Sequence, residues 1–449
     1  MSDIPVTVLY PPDMALLADE LAPELGVDAR VLCTSEIAEL GPAPAACWET
    51  FPSGDPDIKL RIDAVRGRHV IFLMSSDKEM IFEQLSVLLF LQRFHVPLPL
   101  EEYAKDKWKR SLADSKYEIA SAAFITVVIP WYRHCQMERT SRWAIADGKW
   151  VNSKPEGNFV DVPTALQYAA LLSAPPIVAG PRGGGPWPKP PLPPPPKKRL
   201  MLLDIHEYED LELALNASGA WANPQVPYDY VHGTGTYFAS AFDYFLQYIL
   251  QAKFTGDKSG CFVVFPDAGA HRRFHRMVMR ACQIGQTQIL WIPKSRIGAD
   301  IKQTNGLMYL DEAGAERLRA DPIPGSSYVL LADDFTNSGS TLFGGAKVIR
   351  KHAEPSVHVA AYVSHFVGKY DRPTVSKFVS SLYDNTGERS LDEFYCTDSV
   401  AQTIAWLRED LAKRPQDEEP RCHIMSLARV IKDWVITHQP KAPECCASQ

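Results

Sequence analysis

The stretch VLLADDFTNSGST, residues 329–341, decides the fold of this chain. Its apolar start, from Tyr328 to Ala332, predicts a strand buried on both faces, as in a parallel sheet. Two acids follow, then a loop rich in Ser, Thr and Gly, and then a helix predicted from about Leu342. A loop that turns back into a helix N-terminus exposes backbone N–H groups, so the stretch predicts a phosphate-binding site.

The side chains of this loop suit a sugar phosphate. Carboxylates at positions 333 and 334 can accept hydrogen bonds from two ring hydroxyls of a ribose, and hydroxyls at 336, 338 and 341 add donors for phosphate oxygens. The predicted binding residues are Asp333, Asp334, Thr336, Asn337, Ser338, Gly339, Ser340 and Thr341. The competing interpretation is a polar turn in which Ser340 or Thr341 caps the next helix.

Apolar runs followed by a turn and an amphipathic stretch recur along the whole chain. The runs are Val6–Tyr10, Val70–Met74, Ile125–Ile129, Leu200–Asp204, Cys261–Phe265, Gln288–Ile292, Tyr328–Ala332 and Val357–Val363. Helices are predicted over Glu79–Phe94 and His271–Cys282, where apolar residues recur at helical spacing. Alternating strands and helices over 449 residues predict an α/β protein with two mostly parallel sheets flanked by helices.

One segment, residues 174–198, interrupts this alternation. It is rich in Pro and Gly, which predicts an exposed loop with polyproline II character and neither helix nor central strand. Pro193, Pro196 and Lys198 fit a loose SH3-ligand pattern. Such patterns are common in proline runs, so a plain spacer is the preferred interpretation and SH3-type docking the alternative.

The overall charge argues against two classes of partner. A net charge of −7 and a pI near 6 provide no basic field for nucleic acid or anionic lipid. The longest apolar stretch, Ile119–Tyr132, is too short to span a bilayer and predicts a buried strand. Nine scattered cysteines without a CxxC pair, and an N-terminus without a secretory signal, predict reduced thiols and a cytoplasmic protein.

Three further segments carry polar residues next to predicted strands. FVVFPDAGAHRRF, residues 262–274, places Asp267 at a strand end, and LDIHE, residues 203–207, places His206 at another. KSR, residues 294–296, places two cations just after a third strand. A lone histidine at a strand end is more often structural, and a basic turn is usually only solvated. The segments gain weight from occurring together with the loop at 329–341.

Together these segments resemble the ribose-phosphate diphosphokinases, which make phosphoribosyl pyrophosphate on a type I phosphoribosyltransferase fold. The loop at 329–341 resembles the phosphoribosyl pyrophosphate loop of that fold, PDAGAHRR resembles the family's PDxGxxxR segment, and LDIHE resembles its DLH or DIH element. The resemblance covers roughly residues 5–437. FPDAGAHRRFH, KSR, AYVSHFVG and DEFYCTDSV bring it closest to the second class, best known from plants.

The resemblance implies two tandem phosphoribosyltransferase-like domains. Residues 1–229 would form the ATP side, with the Pro-rich segment as an insertion, residues 230–440 the ribose 5-phosphate side, and residues 441–449 a tail. Lys294 and Arg296 would be catalytic, on a loop that closes over the transferring phosphates. His206 and Asp267 would hold Mg²⁺ near the nucleotide and the sugar. The family also implies a homo-oligomer.

The nucleotide side matches the family less well than the sugar side. The ATP-binding residues that the resemblance implies are Phe51, Ser53, Asp55, Glu138, Arg139 and His206. Ser53 stands where the family has an acid, and the Y-x-R-Q-D-R run of the common class is not matched. The plant class also lacks that run and is described as tolerant of several nucleoside triphosphates.

Three functions follow from the resemblance. The preferred one is transfer of the pyrophosphoryl group of ATP to the anomeric hydroxyl of ribose 5-phosphate, which feeds nucleotide biosynthesis. The second is a regulatory relative that keeps the fold and associates with an active partner, favoured by the altered adenine segment and the Pro-rich insertion. The third is a salvage phosphoribosyltransferase, which needs neither a full α/β domain ahead of the loop nor the KSR segment.

Overall fold

The computed structural model describes most of the chain in two compact units. The described chain omits residues 1–3, 28–45, 98–116, 134–142, 147–148, 153–161, 175–195, 207–210, 213, 216–220, 222–227, 230–233, 254–257, 298–299, 304–305, 385–389, 416 and 438–449. The first unit comprises Met1–Phe238 together with Ile431–Gln449, and the second comprises Ala239–Val430. The domain bounds expected from the sequence, 1–229 and 230–440, remain predictions.

Helices and strands alternate through both units. The helices are α1 (Ala15–Leu25), α2 (Ile62–Val65), α3 (Ile81–Gln92), α4 (Thr164–Leu172), α5 (Phe242–Lys253), α6 (Ala268–Cys282), α7 (Ser340–Lys351), α8 (Arg372–Leu382), α9 (Ala401–Ala412) and α10 (Ala428–Thr437). The strands are β1 (Val6–Leu9), β2 (Ala46–Thr50), β3 (Pro56–Leu60), β4 (His69–Leu73), β5 (Phe94–Pro97), β6 (Tyr117–Ala120), β7 (Phe124–Ile129), β8 (Trp143–Ala146), β9 (Lys149–Asn152), β10 (Lys197–Leu203), β11 (Tyr228–Asp229), β12 (Thr234–Ala239), β13 (Cys261–Phe265), β14 (Ile289–Trp291), β15 (Lys294–Ile297), β16 (Asp300–Gln303), β17 (Met308–Leu310), β18 (Glu316–Leu318), β19 (Tyr328–Thr336), β20 (His358–Phe366), β21 (Glu393–Thr397) and β22 (Cys422–Met425). Within the described chain, no helix combines the length and apolar content needed to cross a bilayer.

The first unit is built on a sheet of order β1-β4-β7-β10-β12-β11. Strands β1, β4, β7 and β10 run parallel to one another, and β4 and β7 are buried along their whole length. Their continuous apolar runs are what burial on both faces of a parallel sheet requires. The last strand pair, β11 and β12, is antiparallel.

The end of α10 packs within the first unit. The Trp434 ring stacks on Tyr237 at a centroid distance of 5.3 Å, and the guanidinium of Arg199 lies 4.4 Å from the Trp434 ring centroid. Arg199 also donates a hydrogen bond to the Val435 carbonyl at 3.5 Å, and the Lys432 ammonium pairs with Glu24 at 2.6 Å. Residues at the far end of the sequence therefore complete the core of the first unit.

The second unit is built on an eight-stranded sheet of order β18-β17-β14-β13-β19-β20-β21-β22. The six strands from β14 to β22 in this order are parallel, whereas β17 and β18 form an antiparallel edge. All five residues of β13 are buried, as are the first five of β19. Since the central strands are parallel, the polar residues that follow them gather at one edge of the sheet.

The α/β class and the mostly parallel sheets predicted from the sequence are confirmed. Each of the eight predicted strands coincides with a strand of one of the two sheets. Two predicted bounds are wrong in detail. The apolar stretch Ile119–Tyr132 is not one strand, because Ser121–Ala123 separates β6 from β7. The helix predicted over Glu79–Phe94 is shorter, because Phe94 begins β5.

The Pro-rich loop ends earlier than predicted, because β10 begins at Lys197. Lys198 pairs in register with Ile125 of β7 and is only 7% exposed. Its ammonium donates to Gln92 at 3.3 Å and lies 4.4 Å from the Trp221 ring centroid. Burial lowers the pKa of Lys198 to about 8. The basic residue of the SH3-ligand pattern is therefore inside the fold, and Pro193 lies outside the described residues.

Candidate functional site

The paired acids of the sugar loop lie inside strand β19, not after it as predicted. The strand continues to Thr336 because β20 pairs with it that far, with Asp333 opposite Val363 and Phe335 opposite His365. Consecutive residues of a strand point to opposite faces. Asp333 and Asp334 therefore meet different surroundings.

Asp334 is held by an ion pair with Arg273. Its carboxylate is 1% exposed and accepts a hydrogen bond from the Arg273 guanidinium at 3.0 Å. The same carboxylate accepts from the backbone N–H of Phe335 at 3.1 Å. A buried carboxylate is stable only when it is paired and hydrogen-bonded. Arg273 thus fixes the position of one of the two predicted sugar-binding acids.

Asp333 lies in a region of concentrated negative charge. Burial raises the pKa of its carboxyl well above the ordinary value, and repulsion from Asp334 and Asp267 raises it further. The nearby Arg273 cation acts in the opposite direction on this pKa. A hydrogen-bond donor or a cation brought to this carboxyl would therefore be stabilised there.

Asp267 stands at the end of the neighbouring strand. It follows β13 by two residues and is the N-cap of α6, where its carboxylate accepts from the Ala270 N–H at 2.9 Å. Strands β13 and β19 are parallel neighbours, with Val264 opposite Leu331. Asp267 lies at the end of a strand, as predicted, and its negative charge raises the pKa of Asp333.

The loop from Thr336 to Thr341 has the shape that an anion site requires. Gly339 adopts φ +77° and is the N-cap of α7, with no side chain capping the helix. A Cβ at Gly339 would lie 2.5 Å from the Phe378 ring, so only glycine fits. The Gly339 N–H donates to the Thr336 hydroxyl at 3.1 Å. The alternative in which Ser340 or Thr341 caps α7 is wrong, so no capping side chain takes the first-turn N–H groups of α7, which are the groups that bind anions at helix N-termini.

Lys294 and Arg296 belong to an antiparallel hairpin formed by β15 and β16. The backbone register places Lys294 opposite Gln303 and Arg296 opposite Ile301. The hairpin follows directly on β14, which is the neighbour of β13 in the parallel part of the sheet. The hairpin therefore begins at the carboxyl end of the parallel strands, the same edge of the sheet at which Asp267 lies. Both positions have extended backbone and do not belong to an irregular loop.

In the first unit, His206 follows the carboxyl end of β10. The chain turns there through Asp204, which is buried and has a left-handed backbone at φ 41°. His206 is partly exposed. Aspartate is one of the few non-glycine residues that adopt this conformation readily, so it suits the turn that leads to His206.

The other predicted nucleotide residues lie at the tip of the β2–β3 hairpin. Phe51 is 50% exposed, and the Ser53 hydroxyl donates to the Asp55 carboxylate at 2.8 Å. Gly54 takes φ +88° to close the turn, and its N–H donates to the Phe51 carbonyl at 2.8 Å. Glu138 and Arg139 lie outside the described residues.

A magnesium site would depend on the carboxylates of the second unit. Among the described residues, no three His, Cys, Asp or Glu side chains are grouped as a ready metal cage. Mg²⁺ does not need such a cage, since it is commonly held by one or two carboxylates, water and substrate phosphates. Asp267 and Asp333 fit this description because negative charge accumulates between them. His206 fits less well as a direct ligand, because Mg²⁺ prefers oxygen.

Arg273 is the site residue to which the sequence analysis gave no role. It is the arginine of the PDxGxxxR segment, and its distance from Asp334 along the chain, 61 residues, hides the contact. The signal was nevertheless present. Because Asp267 and Asp334 come at the ends of two predicted strands, a helix that begins at one acid can carry a cation to the other.

Comparison with known proteins gives three informative matches, although no family model matches the chain. A ribose-phosphate pyrophosphokinase 4 of Oryza sativa subsp. japonica is 24% identical over 388 residues, which is 86% of each chain. A ribose-phosphate pyrophosphokinase 4 of Arabidopsis thaliana is 25% identical over 359 residues, 80% of this chain and 76% of that one. The phosphoribosylpyrophosphate synthetase structure from Mycobacterium smegmatis superposes with a TM-score of 0.54 at 15% identity, covering 96% of this chain and 98% of that one.

These matches confirm the resemblance that the motifs carry. The sequence matches are to plant enzymes of the 3 and 4 types, and they span most of both units. The structural match supports two phosphoribosyltransferase-like domains. The chain is therefore similar in sequence to plant ribose-phosphate pyrophosphokinases, and its fold is similar to that of a phosphoribosylpyrophosphate synthetase.

Proposed function

We propose that the chain transfers the pyrophosphoryl group of ATP to the anomeric hydroxyl of ribose 5-phosphate, giving phosphoribosyl pyrophosphate and AMP. In this reaction the anomeric oxygen bonds to the β-phosphorus of ATP and loses its proton. The bond between the β-phosphorus and the oxygen that bridges it to the α-phosphorus breaks. The relatives carry the name of this activity, and the paired acids and the loop that follows them in the second unit support the proposal.

The sugar is proposed to bind at the carboxyl edge of the second sheet. The 5-phosphate takes the first-turn N–H groups of α7 and the hydroxyls of the Thr336–Thr341 loop, with Asn337 and Ser340 as further loop contacts. The ring hydroxyls lie near Asp333 and Asp334. Because Arg273 already neutralises Asp334, the carboxyl of Asp333 has the greater need of a hydrogen-bond donor.

Lys294 and Arg296 are proposed as the catalytic cations. Negative charge spreads over the transferring group as AMP departs, and cations fixed in advance stabilise that charge. The positions are two apart in β15, so they share one face of the hairpin. A hairpin that approaches the phosphates would bring both charges together.

Mg²⁺ is the proposed cofactor, with Asp267 and Asp333 as its protein ligands and His206 in contact with the nucleotide. When bound, Mg²⁺ neutralises phosphate charge and orients the β-phosphorus for attack. Phe51, Ser53 and Asp55 are proposed to contact ATP or another nucleoside triphosphate, as are Glu138 and Arg139. A homo-oligomer is proposed by analogy with the family, and a cytoplasmic location stays a prediction, since some relatives are named chloroplastic or mitochondrial.

The observation that carries the proposal is the arrangement at one sheet edge. Asp333 is close enough there to Asp267, Asp334 and Arg273 for their charges to shift its pKa, and Arg273 pairs with Asp334. The loop at Thr336–Thr341 follows directly along β19. The test is AMP release by the purified full chain with Mg²⁺ and ribose 5-phosphate, using ATP, GTP and CTP in turn. Formation of AMP together with phosphoribosyl pyrophosphate is expected. No AMP with any of the three nucleotides would contradict the proposal.

A regulatory relative without catalytic activity is the second candidate. Two observations favour it: Ser53 replaces the expected acid and is already bonded to Asp55, and the relatives are only 24 to 25% identical. The same assay distinguishes the two. A chain that binds ribose 5-phosphate, forms no AMP alone and changes the rate of an active synthetase would support the regulatory function.

A further inference from the structure

A pocket of about 320 Å³ opens beside the sugar loop, on the side of helix α8. Its polar lining residues are Ser338, Ser340, Lys369, Thr374, Lys377 and Ser381. Two of these belong to the loop, and the other four come from the turn and helix that follow β20. None of the described residues that line the pocket carries a carboxylate. Its charge is therefore positive, in a chain whose net charge is −7.

The floor of the pocket is rigid. Phe378 is almost fully buried, and its ring packs at centroid distances of 4.6 Å from Phe366 and from Phe394. Phe343 lies against it at 5.3 Å and also lines the pocket. The same Phe378 ring fills the space that a Cβ at Gly339 would need. The pocket and the sugar loop therefore share a wall that cannot shift without disturbing the core.

Lys369 is placed at the pocket by an unusual turn. Three consecutive residues, Gly368, Lys369 and Tyr370, have left-handed backbone angles of φ 57°, 54° and 51°. This conformation is costly for the two non-glycine residues. The turn is tied to the sugar loop, because the Val367 N–H donates to the Thr336 carbonyl at 2.9 Å. Strain of this kind persists where neighbouring structure imposes it, and it is concentrated at functional sites.

Lys377 belongs to a polar stripe on α8. Thr374, Lys377 and Ser381 are spaced three and four residues apart, so they lie on one face of the helix, and all three line the pocket. Within the described residues, the exposed side chains of Lys369 and Lys377 make no ion pair and no hydrogen bond. The Thr374 hydroxyl donates to the Asp371 carboxylate at 2.6 Å and the Ser338 hydroxyl to Ser340 at 3.1 Å, so the hydroxyls of Ser340 and Ser381 are the ones left to donate to a ligand. Two ammonium groups and two hydroxyl donors around one cavity can bind a phosphate dianion.

We propose that this pocket binds a phosphate dianion and that Lys369 and Lys377 are its cations. The dianion has two possible sources, the phosphate of a sugar phosphate seated on the loop or a free phosphate beside it. The sugar loop itself, Thr336–Thr341, contains no cation, so the lysines add charge that it lacks. Where the dianion is the 5-phosphate of the sugar, the inference rests on the proposed function and adds two lysines to its binding site; where it is a free phosphate, the inference goes beyond that function.

The test is calorimetric titration of the full chain with inorganic phosphate, ribose 5-phosphate and ribose. The variant Lys369→Gln/Lys377→Gln is expected to lose affinity for phosphate probes by about fivefold for each lysine, the order expected for solvent-exposed ion pairs. Affinity for ribose is expected not to change. The matched control is Lys347→Gln/Lys351→Gln, which removes the same charge from exposed positions of α7 outside the pocket.

A second variant lowers the positive charge of the pocket and leaves both lysines in place. Ser381→Glu places a carboxylate in the exposed mouth of the pocket and is expected to weaken binding of both phosphate probes. Its control is Ser380→Glu, on the adjacent exposed position of the same helix, which does not line the pocket. Circular dichroism of each variant separates lost binding from lost folding.

The outcomes are distinct. Loss of affinity for ribose 5-phosphate alone assigns the pocket to the sugar phosphate, and loss for inorganic phosphate alone assigns it to a separate anion; both support the proposal. It is overturned if the wild-type chain binds neither phosphate probe, or if pocket and control variants bind alike. If the chain forms phosphoribosyl pyrophosphate but the lysine variant binds both phosphate probes as the wild type does, the inference fails and the proposed function stands. If phosphate binding depends on the lysines but the chain forms no phosphoribosyl pyrophosphate, the inference stands and the proposed function fails.

Discussion

The sugar loop of the second unit and the β2–β3 tip of the first are both turns closed by a left-handed glycine, yet they are held differently. Gly339 is pressed against the buried Phe378 ring, and its N–H is fixed by Thr336. Gly54 has open space around it, and the turn is closed by local bonds such as Ser53 to Asp55. The sugar loop is therefore held by the core, whereas the β2–β3 tip is held by local bonds alone and can rearrange at lower cost.

The largest effect is expected for the β15–β16 hairpin, which is locally paired like the β2–β3 tip but is proposed to be catalytic. Lys294→Ala and Arg296→Ala should each lower AMP release by roughly 100- to 1,000-fold, as for loss of a charge-stabilising donor in the transition state. The control is Lys302→Ala, since position 302 pairs with Ser295 and so lies on the other face. Near-native rates for both variants would remove the hairpin from catalysis.

The next effect concerns the ion pair behind the sugar loop. Arg273→Gln leaves the buried carboxylate of Asp334 without its cation, which should lower the free energy of unfolding by about 2–4 kcal/mol. Denaturant unfolding measures this change. Arg272→Gln, at the exposed neighbouring position, is the control and should change stability little. Equal stability of the two variants would mean that core packing alone holds this region.

A smaller effect separates steric fixing from backbone strain. Gly339→Ala should destabilise the protein by about 1–3 kcal/mol, because it combines a left-handed backbone with a clash into Phe378. It should also weaken ribose 5-phosphate binding, measured by calorimetry. Gly314→Ala is the matched control, since it has φ +80° but open space. If Gly314→Ala costs as much stability, the Phe378 contact contributes nothing.

The smallest effect is expected at the exposed tip. Ser53→Ala removes a hydroxyl that bonds to a residue two positions away, so stability should change by less than about 0.5 kcal/mol. The KM for ATP should change by about twofold at most, as for loss of an exposed polar contact. In the sugar loop, Thr336→Val is the comparison, since it leaves the Gly339 N–H without its acceptor and should cost about 1–3 kcal/mol. If Ser53→Ala and Thr336→Val lowered the free energy of unfolding equally, the two turns would not differ in how they are held.

The parallel core strands were predictable because continuous apolar runs have one explanation. The predicted strand Cys261–Phe265 has the bounds of β13, and Asp267 follows it as expected. What sequence periodicity could not show is pairing between distant segments. Strand β19 passes through its two acids only because β20 continues beside it, and β15 is a strand only because β16 pairs with it.

Side-chain partners were harder to predict than strands. Lys198 follows a proline run and suggests an exposed loop, yet the parallel register with β7 carries it into the interior beside Gln92. The Arg273 contact with Asp334 joins positions 61 residues apart, so no local pattern reveals it. The loop at 336–341 was the opposite case, since its glycine, hydroxyls and following helix are consecutive in the sequence.

The packing of Trp434 and Val435 against Tyr237 and Arg199 has a consequence for biosynthesis. Because residues from Ile431 onward complete the first unit, the second unit is topologically an insertion within the first. During translation the first unit must wait for nearly the whole chain before its core can close, while residues 239–430 are already a contiguous stretch. A nonsense codon or proteolytic cut just before Ile431 would therefore damage the unit that begins the chain, and spare the unit next to the cut.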